Sequence, residues 1–279
     1  MRCDSHVHIV GPVERYPQVA NRTYLAGVAT LATLEALAAA RDVRRFVIVQ
    51  PSFYGTDNTM LLESLDALAG RGRGVAVIDP AAAGPALLDD YAARGVRGLR
   101  INLYSPVRSS EPLAARFGAL EAVAQARGWH IEVIAPLALV AENAALLRAS
   151  SVPVVIDHYG LYGAFRPDQG EGRALIDLLR LPHVWMKLSA PYRVSDDELA
   201  VRADPAWLQA FLAAAPDRCV WGSDWPHTPA HAAQGDGAVA LPYRKIAYDA
   251  LVDAFIAAVG PPALGERILT GNPARLYDF

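Results

Sequence analysis

Cysteine and lysine are nearly absent from this chain of 279 residues, and each shortage excludes something. The two cysteines, Cys3 and Cys219, cannot build a disulfide framework. Both fall on expected strands, with the parity of buried apolar side chains turned away from His6 and from Asp224. The two lysines, Lys187 and Lys245, leave nearly all positive charge to arginine, so an anion site must rely on guanidinium forks, which pair carboxylates bidentately. No basic run is present and the formal net charge is -3. That excludes a general pull toward nucleic acid or an anionic membrane surface. No charged start followed by a long apolar run opens the chain, and no apolar stretch could span a bilayer, so a cytoplasmic location is expected. No Gly-x-Gly-x-x-Gly follows the first expected strand, which removes the signal of a dinucleotide-binding sheet.

What is present is a regular alternation of short β-rich runs with Ala/Leu-rich helical stretches. Strands are expected over Arg2–His8, Arg45–Gln50, Gly74–Ile78, Gly98–Asn102, His130–Ile134, Pro153–His158, Val184–Lys187 and Cys219–Ser223. Helices are expected over Leu31–Arg41, Asn58–Ala69, Gly84–Arg94, Leu113–Arg127, Leu137–Ala149, Glu171–Leu181, Pro205–Ala215 and Tyr243–Val259. Spacings such as Leu61, Leu62, Leu65 and Leu68 supply the three- and four-residue periodicity. Each return crosses the sheet as a helix, so the strands run parallel. Eight such units favour closure into a (β/α)8 TIM barrel, an α/β fold spanning residues 1–279 as one domain.

Gly70-Arg71-Gly72-Arg73-Gly74 precedes the third strand and reads as a helix stop and turn on the amino-terminal side of the barrel. Two connections are unusually long: Gly11–Thr30, carrying Tyr16 and Tyr24, and His227–Pro242, carrying Gly235-Asp236-Gly237. Both leave carboxyl ends of strands and are lid candidates over the mouth.

The strand ends carry the chemistry. They read His6-x-His8, Gln50-Pro51-Ser52, Arg100-Ile101-Asn102, Asp157-His158, Lys187-Leu188-Ser189 and Ser223-Asp224-Trp225, each passing from apolar to polar at one depth. Working groups of such barrels come from these ends. Alternation puts His6 and His8 on one face of the first strand and Cys3, Ser5 and Val7 on the other. His158 shares parity with Val154 and Ile156, which would turn it to the axis, and Asp224 shares parity with Gly222. Three imidazoles and a carboxylate suit one divalent ion, zinc first among them. Equally, the imidazoles could polarise a carbonyl with no metal while Asp224 takes a proton from water.

These residues resemble the amidohydrolase superfamily, and within it the branch of 2-pyrone-4,6-dicarboxylate lactonase and related sugar-lactone and sulfomuconolactone hydrolases. The matching motifs are His6-Val-His8-Ile-Val-Gly-Pro, the run from Gln50 to Asn58, Gly95-Val-Arg-Gly-Leu-Arg100, Asp157-His158-x-Gly160, Lys187-Leu-Ser-x-x-Tyr-Arg193, Gly222-Ser-Asp-Trp-Pro-His227 and Asn272-Pro-Ala-Arg-Leu-Tyr277. The resemblance implies a lactonase acting on a small anionic cyclic ester in aromatic-acid or sugar-acid breakdown. It makes Asp224 the base that activates water, lets His6, His8 and His158 hold or polarise the carbonyl, and assigns Tyr24, Ser52, Arg100, Arg193 and His227 to substrate. It also leaves room for a zinc-dependent decarboxylase or a lactone isomerase on the same groups, or for a binding protein without turnover.

Two departures stand out. The fifth strand end reads His130-Ile-Glu-Val-Ile134 where many members have a metal-binding lysine or histidine, so a two-metal centre is not expected. Glu132 shares the parity of His130 and Ile134 and could lie inside the barrel, but receives no role. After His158, Tyr159-Gly-Leu-Tyr-Gly-Ala-Phe-Arg166 replaces the Met-Gly-Arg-Pro run of the pyrone lactonases, which displaces Arg166.

Overall fold

The aliphatic and β-branched runs form eight parallel strands, β1 (Arg2–Val7), β2 (Val43–Val49), β3 (Gly72–Ala76), β4 (Val96–Asn102), β5 (His130–Ile134), β6 (Val154–Ile156), β7 (Val184–Ser189) and β8 (Cys219–Gly222). The computed structural model describes residues 1–105, 113–230 and 239–279. Each strand pairs with the next in sequence, and helices such as α1 (Leu31–Ala39), α2 (Thr59–Leu68), α3 (Pro85–Ala93) and α4 (Leu113–Arg127) return the chain. The ring closes between β1 and β8. There the Asp224 N–H donates to the His6 carbonyl at 2.9 Å and the His8 N–H to that of Trp225 at 2.8 Å. Gly222 makes this seam possible, since a Cβ at that position would lie 2.7 Å from the Cβ of His6. The expected (β/α)8 barrel is the fold observed. Its helices differ in two details: the stretch expected over Leu137–Ala149 breaks at Asn143, and the last begins at Tyr248, five residues later than expected.

Strand alternation sorts the core into two layers. Val7, Phe46, Ile48, Leu99, Ile101, Ile156, Leu188 and Trp221 pack outward under the helices. Val47, Val49, Val75, Val155, Trp185 and Val220 fill the interior with Tyr277, from a helix over Asn272–Tyr277. Cys219 belongs to the outer layer, as its parity required, but Cys3 lies in the interior. The correction comes from a register shift in β1 between Asp4 and Val7, where the pairing advances from Phe46 to only Ile48. Such a bulge puts two successive residues on one face. Thus Cys3 and Ser5 face inward below, and His6 and His8 face inward above.

The long connections after β1 and β8 meet in a short parallel ladder, Leu25–Ala26 with Ala240–Leu241, tied further by the Tyr243 hydroxyl donating to the Gly27 carbonyl. Gly235-Asp236-Gly237 lies outside the described residues. Gly70 ends a helix as expected: Ala69 and Gly70 turn it off with φ of 46° and 88°. Among the described residues no helix is long and apolar enough to cross a membrane.

Candidate active site

At the carboxyl ends of the strands the chain leaves ordinary backbone geometry. His158, Tyr159, Ala190, Asp224 and His227 all have φ between 50° and 66°, a region that non-glycine residues occupy only where surrounding structure compels it. This explains a second parity error. Val154 and Ile156 face the helices while Val155 and Asp157 face the axis, and His158 reaches the mouth because a left-handed turn rotates it inward.

Four side chains from three distant parts of the sequence converge there. Asp224 Oδ1 lies 3.3 Å from His8 Nε2, 3.6 Å from His6 Nε2 and 3.9 Å from His158 Nε2. All four residues are buried. The carboxylate is held from one side only. Its Oδ2 accepts from the Tyr192 hydroxyl at 2.5 Å and from Arg193 Nε at 2.8 Å, while Oδ1 has no hydrogen-bond donor. Burial pushes Asp224 up, but the Arg193 guanidinium and then His158 outweigh it and hold the carboxyl well below its usual range. Burial also lowers the imidazoles, His6 well below its ordinary value and His158 to about 3, so both are neutral.

The tautomer of His8 is fixed by chemistry. Its Nδ1 lies 2.7 Å from the Val49 carbonyl, which can only accept, so Nδ1 carries a proton, and in the neutral ring Nε2 presents a lone pair. That lone pair faces the bare Oδ1 of Asp224. Two electron-rich atoms facing each other without a proton between them form a natural cation site. Among the described residues, two triads have ligand atoms within 4.8 Å of one another: His6, His8 and Asp224, and His6, Asp157 and His158.

Arg100, Arg193, Ser52 and Tyr24 line the cleft above this cluster, together with Asn102, Phe53 and Thr228. The cleft is narrow, with a cavity volume of about 30 Å³. Arg100 is buried, donates through one terminal nitrogen to the Gln50 carbonyl at 2.9 Å, and keeps Nε unpaired. Arg193 is placed differently from expectation. Its Nε serves Asp224, and a terminal nitrogen donates to Thr228 Oγ1 at 2.7 Å. His227 is buried behind the wall, edge-on to Tyr192 with ring centroids 5.9 Å apart, and is not among the lining residues. Arg166 is exposed and likewise absent from the lining.

Residue-by-residue reading missed a layer beneath the mouth. Lys187, Glu132 and Asp157 are all buried in the barrel. Lys187 Nζ pairs with Glu132, lies 3.3 Å from Asp157 Oδ1 and 3.2 Å from His6 Nδ1. Tyr192 was missed as well. The signal was present in the alternation itself: Trp185, Lys187 and Ser189 share one parity, as do Val155 and Asp157.

A family model described as "Amidohydrolase" matches residues 3–279. The chain belongs to the amidohydrolase family. Among its amidohydrolase relatives, a 4-sulfomuconolactone hydrolase from Rhizobium radiobacter is 30% identical over 98% of this chain and 89% of its own. A 2-pyrone-4,6-dicarboxylate hydrolase from Comamonas testosteroni is 28% identical, covering 98% of this chain and 89% of its own. The crystal structure of an amidohydrolase from Burkholderia multivorans with bound zinc superposes with a TM-score of 0.73 at 26% identity, over 100% of this chain and 99% of that one.

Proposed function

We propose that the protein hydrolyses a small anionic lactone or cyclic ester in the cytoplasm, in the breakdown of aromatic or sugar acids, with Asp224 as the group that takes the proton from water. The observation that carries this reading is the one-sided grip on Asp224. Tyr192 and Arg193 pin Oδ2, which leaves Oδ1 bare at the base of the cleft beside three imidazoles. A water there loses its proton to Oδ1 as its oxygen bonds to the acyl carbon. The ring C–O bond then breaks, and the departing oxygen recovers the proton. Arg193 keeps Asp224 ionised and ready, and also makes it a weak base that must pass the proton on. Arg100, with Asn102 and Ser52 beside it, presents donors for a substrate carboxylate.

The donor set fits one divalent cation held by His6, His8, His158 and Asp224, zinc being the first choice for three nitrogens and one oxygen. Bound there, such an ion would polarise the acyl oxygen and acidify water. The similarity to two lactone hydrolases over nearly the whole chain supports the substrate class.

A panel of carboxylated five- and six-membered lactones, followed by acid release at constant pH, tests the proposal. Turnover of at least one member by the native enzyme and its loss in Asp224→Asn are expected. Full activity in that variant, or release of carbon dioxide in place of acid, contradicts it.

A further inference from the structure

His6 and His8 belong to one motif and meet the same carboxylate oxygen, yet their other nitrogens meet opposite partners. His8 Nδ1 faces a carbonyl, an acceptor. The nearest group to His6 Nδ1 is the Nζ of Lys187 at 3.2 Å, ahead of Asp157 Oδ1 at 3.4 Å and Glu132 Oε1 at 3.7 Å, and an ammonium has donors only. We propose that Lys187 is a positioning residue that holds His6 as the tautomer protonated on Nε2, and so opposes a divalent cation at the imidazole cluster. This rests on the cation reading of the site and is independent of its lactone chemistry.

The geometry is consistent at both ends of the ring. With Nδ1 accepting from Lys187, a neutral His6 carries its proton on Nε2, which lies 3.6 Å from Asp224 Oδ1, an acceptor with no other donor. His6 Nε2–H is then aimed at that carboxylate beyond hydrogen-bond distance and is available to an oxyanion that comes closer, while His8 presents a lone pair. A cation bound through His6 Nε2 forces the proton onto Nδ1, where it meets the N–H bonds of Lys187. Lys187 cannot withdraw, because it is fully buried and tied to Glu132 and Asp157. Relief requires the Nδ1 proton to find Asp157 Oδ1, at 3.4 Å, in place of the ammonium. Cation binding and the Lys187 contact are therefore antagonistic through the two nitrogens of one ring.

Long-range proton–nitrogen spectra of histidine-labelled, metal-free protein read the His6 tautomer without any substitution there, His6 being assigned by comparison with His6→Gln. The expected result is a protonated Nε2. The double variant Glu132→Gln/Lys187→Met removes the ammonium together with one of its two carboxylate partners and leaves Asp157 to accept from His6 Nδ1. In it the proton is expected on Nδ1. Zinc, titrated against a chromophoric chelator, is expected to bind at least about tenfold more tightly than to the native chain, the equivalent of one charge-assisted hydrogen bond. Circular dichroism confirms that the variant is folded, and no substrate enters either measurement. A native His6 protonated on Nδ1 overturns the proposal by itself, whether or not the variant folds. Unchanged or weaker zinc affinity in a folded variant overturns it as well. A merely structural Lys187 would shift thermal stability and leave the tautomer where it was.

Discussion

At the amino-terminal end of the barrel Tyr277 and Phe279 close the opening, whereas at the carboxyl end the chain leaves a cleft floored by charged groups. The closed end is held by packing and by arginine. The guanidinium groups of Arg45 and Arg73 lie 4.8 and 4.5 Å from the Phe279 ring centre. Arg73 Nε also donates to the Tyr277 and Asp278 carbonyls at 3.1 Å, and the Tyr277 ring stands edge-on to His130 with centroids 5.3 Å apart. At the open end, oxygens of Asp157, Asp224 and Glu132 are buried without a hydrogen bond, and the backbone at His158, Asp224 and His227 is left-handed. Tyr277 Oη and His130 Nε2 are also buried without a hydrogen bond, but the bare carboxylate oxygens gather toward the open end. Such groups lower stability, which marks where something from outside completes the structure. The two ends should accordingly respond to substitution in opposite ways.

The sharpest contrast comes from one residue at each end. Asp224→Asn should lower kcat for lactone hydrolysis by about four orders of magnitude, the upper range for a positioned acid–base group, in a chain that still folds although Arg193 loses its buried carboxylate partner. Tyr277→Ala should do the reverse. Removing a fully buried ring that plugs the interior costs about 4 kcal/mol in chemical denaturation, with kcat unchanged for the folded fraction. Loss of activity in Tyr277→Ala under conditions where it is fully folded would break the division between the ends.

The barrel itself was legible because alternation of strand and helix is a local pattern, and six of the polar strand ends line up at one depth in the sequence. The converging quartet was legible for the same reason. The facing of individual residues was not. The bulge in β1 and the left-handed turn at His158 both arise from contacts between strands distant in sequence, and each inverts the parity argument at the residues next to the site. Arg193 illustrates a further limit: a sequence shows that a guanidinium is available at the mouth, but its partner, Asp224 or substrate, depends on side-chain reach. Lys187 stood among the polar strand ends in the sequence but received no role, because nothing local shows what its ammonium meets. Its burial follows only from the two carboxylates brought beside it by β5 and β6.

Gly222 belongs to both ends, since the seam it allows also sets the height of His6. Gly222→Ala should therefore lose about 2 kcal/mol of stability through the forced displacement of β8 from β1 and some activity with it. A loss confined to stability would show that the seam tolerates the shift. Arg100→Met probes the open end alone. The apparent KM of a carboxylated lactone should rise about tenfold, as loss of a charged hydrogen bond implies, and that of its neutral methyl ester should hardly move. Equal changes for the two would remove the anion-binding role of Arg100.

The smallest effect lies in the interior between the two ends, at His130. Burial lowers its imidazole to about 3, against an unfolded value near 6.5. The folded chain therefore keeps His130 neutral while the unfolded chain takes up a proton as pH falls. Stability from this residue is fully present above about pH 6.5 and is lost progressively on acidification toward its folded value, roughly 1 kcal/mol of it between pH 7 and 5.5. His130→Leu should flatten the fall of the denaturation midpoint across that window by the same amount, whatever it does to stability at pH 7. An unchanged slope would mean that His130 is already charged in the native interior, where Lys187 would oppose it, and the neutral interior assumed beneath the mouth would have to be abandoned.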